Sequence, residues 1–193
     1  MRSIARLALL IVMWTCGPEA ALATWRLDME GGAFFPVSDV EGPQGNFSAD
    51  FDPGFTLGVG GGYAPLHWLE ILSHMQGGYS DAGDAFADTL SFTSWTFGAR
   101  VLPFPWYWVN PWGIFELGWY HVDADIDDDF FGNHDSDGDD DSFGINVGGG
   151  IDFRITDFVS IGPDVRYHNA FDAFDGVDFV TAVVNVSLHF GRR

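Results

Sequence analysis

The chain has 193 residues, room for one domain. Its formal net charge is -20 and it contains no lysine, which argues against nucleic acid or anionic headgroups as direct partners. Yet 47% of residues are hydrophobic and 17% aromatic, so this is not a disordered acidic chain.

The N-terminus reads as a separate signal. Arg2 and Arg6 give a positive start, and Leu7 to Trp14 (LALLIVMW) is an apolar stretch too short to span a bilayer. Ala21-Leu22-Ala23 supplies a small-x-small pattern, which predicts cleavage after Ala23 and divides the chain into a signal peptide, 1–23, and a β-domain, 24–193. Cys16, the one cysteine, would leave with the signal, so the mature chain is expected to hold no disulfide.

From Trp25 to Phe190 a two-residue rhythm takes over. It predicts strands near 24–35, 54–64, 68–79, 90–102, 112–122, 143–153, 158–168 and 179–190. The segments 36–53, 80–89, 123–142 and 169–178 are rich in Asp and Gly and read as long loops. The connections at Pro65-Leu66, Pro103–Pro111 and Arg154–Asp157 are shorter or built around proline. In an antiparallel meander the long loops collect at one end and the turns at the other. No helical period survives beyond the signal.

Side-chain size decides which face points outward. The second strand carries Phe55, Leu57, Val59 and Tyr63 on one face and Thr56, Gly58, Gly60 and Gly62 on the other. Trp95, Phe97 and Val101 oppose Ser94, Thr96, Gly98 and Arg100; Phe115, Leu117 and Trp119 oppose Glu116, Gly118 and Tyr120. The last strand sets Val180, Ala182, Val184, Val186, Leu188 and Phe190 against Thr181, Asn185, Ser187 and His189. Large apolar groups outside and small or charged groups inside invert a soluble barrel and suit a lipid solvent, where backbone pairing also demands closure. The fold expected is an all-β, eight-stranded antiparallel up-and-down transmembrane barrel. Trp106, Tyr107, Trp108 and Trp112 around the second turn, with Trp25 and Trp68, read as an interfacial girdle.

GVGGGYAPLHWLE at Gly58–Glu70, GGGIDFRITDFVSIGPDVRYH at Gly148–His168 and the last strand VNVSLHF at Val184–Phe190 resemble the small outer-membrane β-barrel family of the OmpA/OmpX-like type. The family usually stops at the terminal aromatic, whereas Gly191-Arg192-Arg193 follow Phe190 here. The resemblance implies residence in a Gram-negative outer membrane. Its partners would be outer-membrane lipid, lipopolysaccharide and the barrel insertion machinery. It does not settle function.

The inward face carries Arg26, Asp28, Glu30, Glu70, His74, Gln76, Arg100, Glu116, Asp152, Arg154, Asp164 and Arg166. Buried charges must be paired, so an interior polar network is expected around Glu70, Arg100, Glu116, Asp152, Asp164 and Arg166. Glu70, Arg100 and Glu116 lie toward the turn end of consecutive strands, where one arginine could bridge two carboxylates. NHDSDG at Asn133–Gly138 begins like a calcium loop, but the twelfth position would be Gly144, and no helices flank it. Weak calcium binding by Asp135, Asp137 and Asp139 is the metal expectation, with no other cofactor. His134-Asp135-Ser136 has a His-x-Ser spacing but sits in a loop without a fixed base, so no catalytic residue is assigned. The reading is a monomeric, polar-plugged barrel with acidic extracellular loops and a structural or surface-interaction role. Its alternatives are a narrow channel for small solutes and a lipid A-modifying barrel enzyme.

Overall fold

The computed structural model describes residues 24–37, 40–41, 48–49, 52–81, 89–104, 107–125, 138–171 and 177–191. The expected signal peptide, Cys16, Trp106, Asp135 and Asp137 lie outside them. Eight strands close into one barrel in the order β1 (Thr24–Pro36), β10 (Val177–Phe190), β9 (Val159–Ala170), β8 (Gly138–Arg154), β7 (Val109–Asp125), β6 (Thr89–Val101), β5 (Leu69–Asp81) and β4 (Gly54–Leu66). Every neighbouring pair is antiparallel, and β1 joins β4 to complete the ring, so no strand edge is left along the shared span. The segment 36–53, expected as loop, holds a two-residue pairing of β2 (Val40–Glu41) with β3 (Ser48–Ala49).

The expected faces are those observed. Phe55, Leu57, Val59, Trp95, Phe97, Phe115, Leu117, Trp119, Val184 and Val186 are exposed on the outer wall. Thr56, Thr96, Glu116, Thr181, Asn185 and Ser187 are buried inside. The inward glycines make room for their neighbours. A Cβ on Gly60 would collide with the His74 ring, and one on Gly148 would come within 2.8 Å of Arg166 Cγ.

Two strands outrun their sequence limits. β7 and β8 have 17 residues each and pair as far up as Asp123 opposite Asp139 and Ala124 opposite Gly138. The acidic run suggested a loop because charge is normally solvated. A strand satisfies the same demand once it rises above the lipid, where its outer face is free to be polar. At the other end β7 begins at Val109 and includes Pro111, opposite Ile151. Proline is tolerated there because it lies near the strand's start.

The outer wall marks where lipid ends. Trp95, Trp119 and Phe143 are register partners across β6, β7 and β8, and Trp119 meets Phe143 edge-on at 5.5 Å. The next outward position toward the loops is Thr93 opposite His121, itself opposite Asp141, so polarity begins one step above the aromatic row. At the turn end Trp25, Tyr107 and Trp108 are exposed, with Trp25 against Tyr63 at 5.0 Å. These are the two aromatic belts of a membrane-spanning barrel. Trp112 departs from the expected girdle: it is buried, because it shares the inward parity of Ile114 and Glu116.

Leu117→Arg, below the aromatic row, is expected to cost about 2–4 kcal/mol in denaturant unfolding from bilayers, and Thr93→Arg, above it, about 0–1 kcal/mol. Equal costs at the two positions would contradict the boundary.

Candidate functional site

Among the described residues, charged groups converge in the barrel interior. On a strand, residues two apart share a face, which makes Arg26 and Asp28 neighbours on β1, and Asp164 and Arg166 neighbours on β9. Arg26 Nε donates to Asp28 Oδ1 at 2.5 Å, and Arg166 donates to Asp164. The other bonds cross the lumen. Arg26 Nη1 donates to Asp152 Oδ2 of β8 at 2.7 Å, and Arg166 Nη2 donates to Glu30 Oε2 of β1 at 2.6 Å. Neither pair joins adjacent strands.

His74 links the two arginine groups. Its Nδ1 lies 2.7 Å from Glu116 Oε1, and its Nε2 lies 3.8 Å from Asp28 Oδ2. Glu116 also accepts from Asn146 Nδ2 at 2.7 Å and lies 4.0 Å from Arg166. Among the described residues, three arginines, Arg26, Arg100 and Arg166, thus face six buried carboxylates, Asp28, Glu30, Glu70, Glu116, Asp152 and Asp164. Neutral donors supply part of the difference: Trp112 Nε1 reaches Asp152 at 3.1 Å and Ser187 Oγ reaches Asp28 at 2.7 Å.

All six residues singled out from sequence, Glu70, Arg100, Glu116, Asp152, Asp164 and Arg166, are buried in this interior. Their connections differ in one respect. Arg100 does not bridge Glu70 and Glu116. It stands opposite Glu70 in register, with Nη1 3.6 Å from Glu70 Oε2, and its guanidinium lies 4.1 Å from the Trp112 ring centre. Glu116 stands opposite Gly98, two positions along from Arg100, and is held by His74 instead. The guanidinium nitrogens of Arg100 have no hydrogen-bond partner among the described residues. Arg154, expected inside, is half-exposed at the turn end.

An apolar layer above this network was not expected. Phe34, Leu90, Phe92, Tyr120, Val122, Ala170, Val177 and Phe179 form a buried cluster at the loop end. Phe92 of β6 and Phe179 of β10 come from opposite walls of the eight-stranded ring, and their ring centres are 4.4 Å apart. His168 stacks on Phe179 at 4.5 Å, with Tyr120 Oη 3.1 Å from its Nδ1 and Thr181 Oγ1 3.1 Å from its Nε2. Parity could have found this layer: Phe92 shares the face of Ser94 and Thr96. A smaller apolar group, Leu72, Leu102, Trp112 and Ile114, lies toward the turn end.

Of the expected metal ligands, only Asp139 is among the described residues, in β8 opposite Asp123. No group of three or more His, Cys, Asp or Glu side chains suited to a metal occurs among the described residues.

A closed antiparallel barrel with an apolar outer belt and a charged interior has counterparts among known proteins. Residues 7–190 match the family model described as outer membrane protein beta-barrel domain. The chain belongs to that family. It is an integral protein of a bacterial outer membrane. No curated protein matches it. Among solved structures, Neisserial surface protein A is 18% identical, covering 87% of this chain and 99% of its own, with a TM-score of 0.61. OprG of Pseudomonas aeruginosa is 13% identical, with 90% and 98% covered and a TM-score of 0.63. Ail of Yersinia pestis, in complex with the heparin analogue sucrose octasulfate, is 14% identical, with 88% and 99% covered and a TM-score of 0.57. Likeness at these identities establishes the shared barrel fold.

A double-mutant cycle on Arg26 and Asp152 is expected to give a coupling energy of about 0.5–3 kcal/mol in unfolding experiments, and one on Arg100 and Glu116, which share the buried interior without a direct contact, a smaller one. Arg166→Met, which strands Glu30 and Asp164, is expected to cost about 3–5 kcal/mol. A cycle in which Arg100 and Glu116 couple more strongly than Arg26 and Asp152 would contradict these contacts.

Proposed function

We propose that this protein is a non-conducting outer-membrane barrel with a structural and surface-interaction role, its acidic loop end facing outward. One observation carries the reading: Phe92 and Phe179 meet across the full width of the lumen. Eight strands enclose little more than their own side chains. Here ion pairs fill the middle and aromatic rings fill the loop end, so no solute path is needed to account for the interior groups. The reading includes no catalysis, since the charged groups engage one another inside the wall rather than facing a substrate.

Surface charge shapes the partner class. A polyanion of the kind bound by Ail would be repelled by a chain with no lysine and a formal net charge of -20. Divalent cations shared with lipopolysaccharide phosphates fit better, and in this reading Asp135, Asp137 and Asp139 bind calcium weakly, on the order of 0.1–1 mM.

Planar-bilayer recording of the purified protein tests the central point. The expected trace shows little or no steady current. Large sustained current that persists on repurification would instead support the narrow channel.

A further inference from the structure

His74 of β5 and His168 of β9 are both buried in the lumen, but their surroundings differ in kind. A neutral imidazole has one nitrogen that donates and one that accepts. His168 lies between two hydroxyls, with Tyr120 Oη 3.1 Å from its Nδ1 and Thr181 Oγ1 3.1 Å from its Nε2. A hydroxyl either donates or accepts, so the neutral ring satisfies both sides. His74 lies between two carboxylates instead. Glu116 Oε1 is 2.7 Å from its Nδ1, and Asp28 Oδ2 is 3.8 Å from its Nε2. An ionised carboxylate only accepts. A neutral His74 would therefore turn a lone pair toward one of the two. An imidazolium presents an N–H to each.

The groups around His74 call for the same charge. Among the described residues, three arginines stand against six carboxylates in the interior. On β1 and β8, Arg26 engages Asp28 and Asp152; on β9 and β1, Arg166 engages Asp164 and Glu30. Arg100 of β6 lies 3.6 Å from Glu70 of β5. Glu116 of β7 is left with Arg166 at 4.0 Å and His74 at 2.7 Å. The wall strands beside β5 set Gly60 and Thr96 opposite His74, neither of them charged. β10 brings Asn185 and Ser187, also uncharged, and His189, whose Nε2 lies 2.9 Å from Ser160 Oγ. Arg166 repels a second cation, but Glu30 and Asp164 already engage it. Moving the proton to Glu116 would cost that carboxylate its charge-assisted bond from Asn146 Nδ2 at 2.7 Å and its attraction to Arg166.

We propose that His74 is a buried proton-binding site: in the folded barrel at neutral pH its ring carries both protons and acts as a further cation of the interior, joining the Arg26 and Arg166 groups through Asp28 and Glu116. A proton makes this join, so alkali undoes it. Above the ordinary histidine value of about 6.5 the unfolded chain has released that proton and the folded chain still holds it. Stability then falls as pH rises, because the folded state binds more protons. The fall reaches about ten-fold in the folding equilibrium constant per pH unit until His74 deprotonates in the barrel.

The test has two readouts on full-length protein in phosphatidylcholine bilayers. The first is solid-state NMR of isotope-labelled, unaltered protein, with His74 assigned through its neighbours Ser73 and Met75. At about pH 7.5, a unit above the ordinary histidine value, nitrogen shifts are expected to show both His74 nitrogens protonated and His168 neutral. The second is denaturant unfolding between about pH 7 and 9, with His74→Gln beside the unaltered chain. The unaltered chain is expected to lose up to about ten-fold more of its folding equilibrium constant per pH unit than the variant. A neutral His74 ring, a proton found on the Glu116 carboxyl instead, or equal pH slopes would overturn the proposal. The NMR readout needs no substitution, so it decides the matter even where His74→Gln does not fold. Neither readout depends on whether the barrel conducts.

Discussion

The interior of this barrel depends on ion pairs that cross it. Arg26 reaches Asp152, Arg166 reaches Glu30, and His74 joins the two groups through Asp28 and Glu116. A charge inside the wall has no bulk water to solvate it, so each must find an opposite charge or a donor from another strand. That requirement ties together strands that are not neighbours in the ring. The backbone ladder closes the wall, and the side-chain network fixes what fills it. Because carboxylates outnumber arginines there, Trp112, Asn146 and Ser187 act as donors to Asp152, Glu116 and Asp28. Loss of Arg26 or Arg166 would leave more than one carboxylate stranded.

Shape follows from the same constraint. Two of the bulky interior groups face a glycine in register. Gly60 admits the His74 ring, and Gly148 admits Arg166. These glycines lower strand propensity locally, and the neighbouring side chains fill the space they leave. Outside, the requirement is reversed: lipid accepts Leu57, Val59 and Leu117, and the rings of Trp95, Trp119 and Phe143 mark its edge. Above that edge polar groups return, and β7 and β8 continue as strand because water pairs with their outer faces.

Most of the architecture was legible because two properties repeat. Alternation gave the strands and their inward residues, and side-chain size gave the direction of the faces. What was missed has specific causes. The company of Trp108 and Tyr107 suggests the girdle for Trp112, although its parity with Glu116 places it inside. Phe34, Phe92 and Phe179 run against the expectation of a polar interior, yet the parity of Phe92 with Ser94 places it there. Strand order alone does not give the stagger that sets the partner of Glu116: Gly98, not Arg100, lies opposite it. The length of β7 and β8 was hidden by their aspartates. Cross-lumen contacts such as Arg166–Glu30 depend on barrel closure and have no local signature in the sequence.

The central claim is that the lumen is a filled core. Thiol accessibility tests it most directly. In a chain with Cys16 replaced by Ser, a cysteine is placed at Thr96, which is 1% exposed inside the barrel, and in a second chain at Asp141, whose side chain is 83% exposed. Both are treated with a charged, membrane-impermeant thiol reagent under folded conditions. The account predicts rapid modification at position 141 and none at position 96 until the barrel is unfolded. Comparable rates at the two positions in the folded protein would show a water-filled passage and contradict it.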